Sequence, residues 1–138
     1  MSELATAEGA RVEISTEGDI VTARQYGRAL ARRLGFSNSA ATLVATAISE
    51  LARNILLYAR RGELSMKPVE SGVRRGLVVI AHDDGPGMPN VARALQDGYS
   101  TSGRLGLGLP GVRRLMDDFH IDAAPGKGTT VTVKKWRE

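Results

Sequence analysis

Leu77-Val78-Val79-Ile80-Ala81-His82-Asp83-Asp84-Gly85-Pro86-Gly87 passes from an unbroken apolar run into two carboxylates and two close-set glycines. The run Leu77–Ala81 suits a strand covered on both faces. A carboxylate at the end of such a strand, beside glycines that leave no side chain in the way, can accept a hydrogen bond from an amino group on a flat ring. Asp83 is thus a candidate for reading adenine, with Gly85 and Gly87 as its bare neighbours. The same residues also make a good turn, so this stretch does not decide function by itself.

Upstream, residues 11 to 16 alternate in polarity and read as a short, edge-type first strand. Asp19 can cap a helix whose stripe is Ile20, Ala23, Gly27, Leu30 and Leu34, with Gly35 as its left-handed stop. Ser37-Asn38-Ser39 starts a second helix, and its stripe Val44, Ile48, Leu51, Ile55 and Tyr58 runs until Gly62. At about 100° per residue, Glu50 and Asn54 lie one turn apart, about 40° from each other, with Asn54 at the border of that stripe and Glu50 just beyond it. A carboxylate and an amide oxygen placed so beside a core can orient a nucleophile and hold a hard cation, the two tasks of phosphoryl transfer. A solvated helix margin has the same appearance.

Glu63 to Val73, with Pro68 and Gly72, reads as a strand ending in a turn ahead of the apolar run. Downstream, Asp84 to about Gly108 has no clear periodicity, and loops of that length are usually functional or disordered. Its end, Gly103-Arg104-Leu105-Gly106-Leu107-Gly108-Leu109, leads into a helix from Leu109 to Asp118, with Pro110 tolerated in the first turn. Glycine-freed amides and the positive end of a helix together make an anion cradle suited to a triphosphate, to which Arg104 can add a charge. Gly106, Gly108 and Gly111 also match the dinucleotide spacing GxGxxG. That fingerprint needs a strand directly before it, and the irregular YSTSGR stands there instead; no Gly-Lys-Ser/Thr follows to make a Walker loop either. Strands at His120–Ala123 and Thr129–Lys135 flank the turn PGKG. The elements sum to an α+β two-layer sandwich, a mixed sheet with helices packed on one face.

The 138 residues, 42% of them hydrophobic, suffice for one core, so residues 1–138 are expected to form a single domain. Without cysteine, and with only His82 and His120, disulfides and thiolate metal sites are excluded and a zinc set is poor. No apolar run of membrane-crossing length and no secretory leader is read in the sequence, so a soluble, cytoplasmic protein is expected, away from the membrane. The net charge of +4 comes largely from spread pairs, Arg32-Arg33, Arg60-Arg61, Arg74-Arg75 and Arg113-Arg114. Spread pairs read as solvated surface or as a basic face for an acidic protein; aromatics are too few for nucleic-acid stacking platforms.

The series ELARN, DDGPG, GLGLG and GKGTT, spanning residues 50 to 130, resembles the N box and glycine boxes of the GHKL ATPases and kinases. Within that family, ISELARN (Ile48–Asn54), LQDGYSTSGRLGLGLPGVRRLMDDF (Leu95–Phe119) and GKGTTVTVKKW (Gly126–Trp136) are similar to the serine-protein kinases of bacterial stressosomes. The resemblance implies a Bergerat fold that binds ATP and Mg2+. It implies that Glu50 prepares the attacking hydroxyl, Asn54 ligates magnesium, Asp83 reads adenine and Thr129 helps hold the base through water. Gly85 and Gly87 match the first glycine box, Gly106 and Gly108 the second, and the segment from Met88 to Arg104 would be the lid, with Gly103, Arg104 and Leu107 around the phosphates. Asp84 departs from the asparagine many members carry. Also implied are phosphorylation of a serine or threonine on a STAS-domain partner and, on release, activation of a PP2C-type phosphatase. The alternative is an anti-sigma kinase that sequesters a sigma factor and phosphorylates its STAS antagonist.

Overall fold

A computed structural model describes residues 9–85, 108–123 and 126–137. The described elements run β1 (Ala10–Ile14), α1 (Glu17–Arg33), α2 (Asn38–Ala59), β2 (Gly62–Ser71), β3 (Arg74–Asp83), α3 (Gly108–Leu115), β4 (Asp118–Ala123) and β5 (Thr129–Trp136). The strands form one sheet in the order β1-β2-β3-β5-β4. Every ladder is antiparallel, so the mixed sheet expected from the sequence is corrected. The cause is where the last strand goes. β3 and β4 do run parallel, as strands joined through a helix do, but β5 turns back from β4 and slots between them.

Period-two alternation decides which side chains meet the helices. Leu64 and Met66 of β2, Leu77, Val79 and Ala81 of β3, and Val131 and Val133 of β5 share one face and are buried. Against them lie Val44, Ile48, Leu51 and Ile55 of α2, with Ile20, Ala23 and Leu30 of α1. Each Val, Leu, Ile or Met among them is worth roughly 1.5–3 kcal/mol when fully buried, and the alanines less. The opposite face carries Ser65, Lys67, Thr130 and Thr132. Val78 is buried on it all the same, flanked in register by Lys67 and Lys134, whose aliphatic stems can cover it.

Local chemistry explains most helix ends, with corrections. α1 is capped by Thr16, not Asp19: the Thr16 hydroxyl accepts from the Asp19 amide, and the Asp19 carboxylate accepts in return from the Thr16 amide at 3.0 Å and the Ser15 amide at 2.9 Å. That capping box holds the Asp19 carboxyl below its ordinary range, the Ser15 amide contributing most. Gly35, at φ +94°, stops the helix as expected, and Ser37 caps α2. α2 ends at Ala59 because Arg60 takes φ +71°, a conformation costing about 1–2 kcal/mol for a residue with a side chain. α3 ends at Leu115 rather than Asp118, since β4 takes Asp118 into the sheet opposite Lys134. By length and composition alone α2 would cross a membrane, contrary to the expectation that no segment would. Its apolar side is occupied by the core.

Candidate active site

The site begins where β3 and β5 end beside α2. Asp83 and Thr129 are register partners, so their side chains emerge together at one edge of the sheet. Both are buried, at 9% and 7% exposure, although both are polar. With Asn54 and Tyr58 they line a cleft whose floor is Leu51, Ile55, Ala81 and Val131. An apolar floor with a few convergent polar groups is the usual make-up of a small-molecule site.

Two glycines let this edge close up. A side chain at Gly85 would lie 2.6 Å from the Ala59 Cβ, so the turn after Asp83 rests directly on the end of α2. Gly128, at φ +80°, brings its backbone against the Asp83 carbonyl, where any Cβ would collide. From the far side of the sheet His82 braces the same edge: its Nδ1 is 2.7 Å from Thr130 Oγ1 and its Nε2 3.0 Å from Asp84 Oδ1. Asp84 therefore points away from the cleft, 92% exposed, and serves His82. The sequence pattern assigns His82 no role and shows Gly128 only within the PGKG turn and the GKGTT box. Alternation along β3, which sends His82 to the face opposite Asp83, was the available signal.

The Asp83 Oδ1 accepts from the Gly85 amide at 2.9 Å, and the Thr129 backbone also hydrogen-bonds to this carboxylate. Burial pushes this carboxyl above its ordinary 3.8; the Gly85 amide and His82 pull it back, and the Asp84 charge raises it again. The folded chain thus binds the proton more tightly than the unfolded chain, and stability falls as pH rises from 3.8 through the raised value. Asp83→Asn is accordingly expected to raise the Tm at neutral pH. It should also weaken ATP by roughly 10- to 100-fold, because the amide oxygen stays on Gly85 and an NH2 faces the adenine amino group. Calorimetry across pH provides the check: wild-type affinity should fall as pH drops through the raised value, and the asparagine variant should lose that dependence. Unchanged affinity would move adenine elsewhere.

One turn before Asn54, the Glu50 side chain is 14% exposed. Its Oε2 lies 3.3 Å from Arg53 Nη1, and its Oε1 accepts from the Gly108 amide at 3.3 Å. Gly108 is the first residue of α3, at φ +61°. Glu50 therefore stands at the positive end of the helix expected to cradle phosphates. Arg53, which the sequence reading passed over, fixes the other carboxylate oxygen through ordinary i,i+3 spacing. Glu50, Asn54, Asp83, Gly85, Gly108 and Thr129 are thus brought together along α2. Gly87, Gly103, Arg104, Gly106, Leu107 and the lid segment 88–104 lie outside the described residues.

Among the described residues no three His, Cys, Asp or Glu side chains cluster to hold a metal. The donor chemistry fits magnesium only in its usual manner, with Asn54 giving one oxygen and phosphates and water the rest. The fit to a nucleotide rests on Asp83, a buried acceptor above an apolar floor.

The family model for the histidine kinase-like ATPase domain matches residues 14–135. The chain belongs to this family. It is 50% identical to the serine/threonine-protein kinase RsbT of Bacillus subtilis over 125 residues, 91% of this chain and 94% of that one. It is 29% identical to the anti-sigma F factor of Clostridium kluyveri over 98 residues, 68% of this chain and 69% of the relative. Against the anti-sigma F factor of Caldanaerobacter subterraneus subsp. tengcongensis the identity is 27% over 97 residues, 67% and 68% of the two chains. The antiparallel sheet under its helices is accordingly a Bergerat fold. Identity of this order over nearly the whole of both chains makes it an ATP-using serine/threonine-protein kinase, and the anti-sigma relatives set it among the kinases of partner-switching systems.

Proposed function

We propose that the chain transfers the γ-phosphate of ATP to a serine or threonine of a STAS-domain protein in a stressosome and, once released, binds and activates a PP2C-type phosphatase. The observation that carries the chemistry is the run of groups along α2, from the Asp83–Thr129 pair through Asn54 to Glu50 at the start of α3. That order matches a nucleotide laid base first, phosphates last. Asp83 Oδ2 accepts from the adenine amino group and Thr129 steadies the base. Asn54 offers its amide oxygen to magnesium, which when bound neutralises phosphate charge. Gly85 and Gly87 leave room for the base beside Asp83, and the amides around Gly103, Gly106, Leu107 and Gly108, with Arg104, hold the triphosphate oxygens. Glu50 accepts the proton of the incoming hydroxyl and orients it for in-line attack. The reading places the chain in the cytoplasm, where ATP and the acceptor meet.

The test is to mix the chain with γ-labelled ATP, magnesium and candidate STAS-domain proteins and to map the label. The expected product is an acid-stable phosphoserine or phosphothreonine on the STAS protein. Label on no STAS protein, or on histidine, would end the proposal. The anti-sigma F relatives motivate a second reading, that the chain holds a sigma factor and phosphorylates its antagonist. Capture of a purified sigma factor in place of a phosphatase would select it.

A further inference from the structure

Arg53 stands beside Glu50 and takes no part in lining the nucleotide cleft. Successive residues turn about 100° around a helix, so Arg53 lies roughly 100–160° round α2 from Leu51, Asn54, Ile55 and Tyr58, which do line it. Round the axis the order is Asn54, Glu50, Arg53, with Glu50 about 40° from the first and about 60° from the last. Glu50 thus has the cleft on one flank and this guanidinium on the other.

Stability does not explain the placement. The pair with Glu50 is an i,i+3 contact at 3.3 Å, of a kind that adds little to a helix. Meanwhile Arg53 Nε is buried with no hydrogen-bond partner, the one such side-chain nitrogen or oxygen among the described residues. Leaving a buried donor without an acceptor costs more than a weak ion pair contributes. A side chain already 28% exposed has water within reach, yet its Nη1 stays on Glu50.

The carboxylate itself shows what the contact achieves. A glutamate turns easily about its last torsion, so a single anchor leaves its free lone pairs aimed over a wide arc. Glu50 has two anchors from two elements: the Gly108 amide at the start of α3 on Oε1 and Arg53 Nη1 on Oε2, both at 3.3 Å. Together they fix the carboxylate plane. Both are longer than the roughly 2.7–2.9 Å of a tight charged bond, so Oε2 can take a hydroxyl as well.

We propose, on the reading of Glu50 as the base, that Arg53 is the positioning residue of the transfer step. It holds Oε2 turned toward the incoming hydroxyl and touches neither the nucleotide nor the acceptor. As the hydroxyl oxygen bonds to the γ-phosphorus, its O–H bond breaks, the proton passes to Glu50 Oε2 and ADP leaves with the electron pair of the broken P–O bond. Arg53 keeps its own protons throughout.

The test uses the full chain with γ-labelled ATP and magnesium in single turnover. Arg53→Met removes the cation and the stranded donor but keeps an unbranched stem. It should slow transfer to the STAS-domain acceptor by about 10-fold or more, the loss expected of a base that is present but misaligned. Release of label to water, which calls on the same base and needs no acceptor protein, should fall in step. ATP affinity should stay within about twofold, and the Tm should hold or rise as the stranded donor goes. Arg53→Lys, which restores a cation at the same spacing, should recover part of the rate. In a Glu50→Gln background Arg53→Met should cost nothing further, because no base is left to position. Wild-type rates in Arg53→Met, or an additive loss in the double variant, would overturn the proposal. So would a fall in Tm with a matching loss of ATP affinity, which would make Arg53 structural. A wild-type rate in Glu50→Gln alone is a different failure, since it removes the base and this role together.

Discussion

Glu50→Gln is expected to slow phosphoryl transfer by about 100-fold or more while ATP still binds, because a positioned general base typically contributes that factor. The substitution is nearly isosteric. Its amide oxygen keeps the bond from the Gly108 amide, so the start of α3 stays in place, and only the proton-accepting oxygen beside Arg53 is lost. Single-turnover labelling with saturating ATP isolates this step from binding. The base acts on the hydroxyl and not on the nucleotide, so the nucleotide dissociation constant should move far less than the rate. A variant that transfers at the wild-type rate would remove Glu50 from proton transfer and leave it an orienting role.

Asn54→Ala is the second large effect. A bound divalent ion supplies several kcal/mol of charge stabilisation during phosphoryl transfer, and Asn54 is the proposed protein ligand in the cleft. Turnover should fall by more than about 100-fold at ordinary magnesium concentrations. Some activity should return as magnesium is raised, because the phosphates retain their own affinity for the ion. Nucleotide affinity measured without metal should be nearly unchanged, which separates loss of the ion from damage to the cleft. Full activity of the variant would assign the ion to other groups. Asn54 is only half-buried, so the truncation leaves no closed cavity and should cost little stability.

Some of this arrangement was readable from local pattern. The α2 stripe placed Glu50 and Asn54 on one margin because helical period depends on the chain alone, and Ser37 and Gly35 announced their roles through hydrogen-bonding and left-handed geometry. The exit of β3 into Asp83 needed only the change from apolar to acidic residues. Other features depend on remote partners. β5 enters between β3 and β4 because Val131 and Val133 fit opposite Ala81 and Val79, a choice no window of neighbouring residues contains. Asp118 leaves the helix for the sheet because its carboxylate takes the Trp136 indole N–H at 2.9 Å, while Asp117 takes the Trp136 amide at 2.7 Å. Thr16 displaced Asp19 as the cap because both residue types serve at a helix start, and the reciprocal bonds settle which does. In the site, Arg53 and His82 were overlooked because each acts on a neighbour of the ligand rather than on the ligand.

The late strand that divides β3 from β4 carries a consequence for how the protein comes into being on the ribosome. Until residue 129 has emerged, Asp83 has no partner across the ladder and β3 presents a bare row of amides and carbonyls, the kind of edge that pairs with strangers. A nascent chain therefore has no completed cleft at Asp83 until β5 is made, and a ligand of that cleft can brace only molecules in which β5 has already docked.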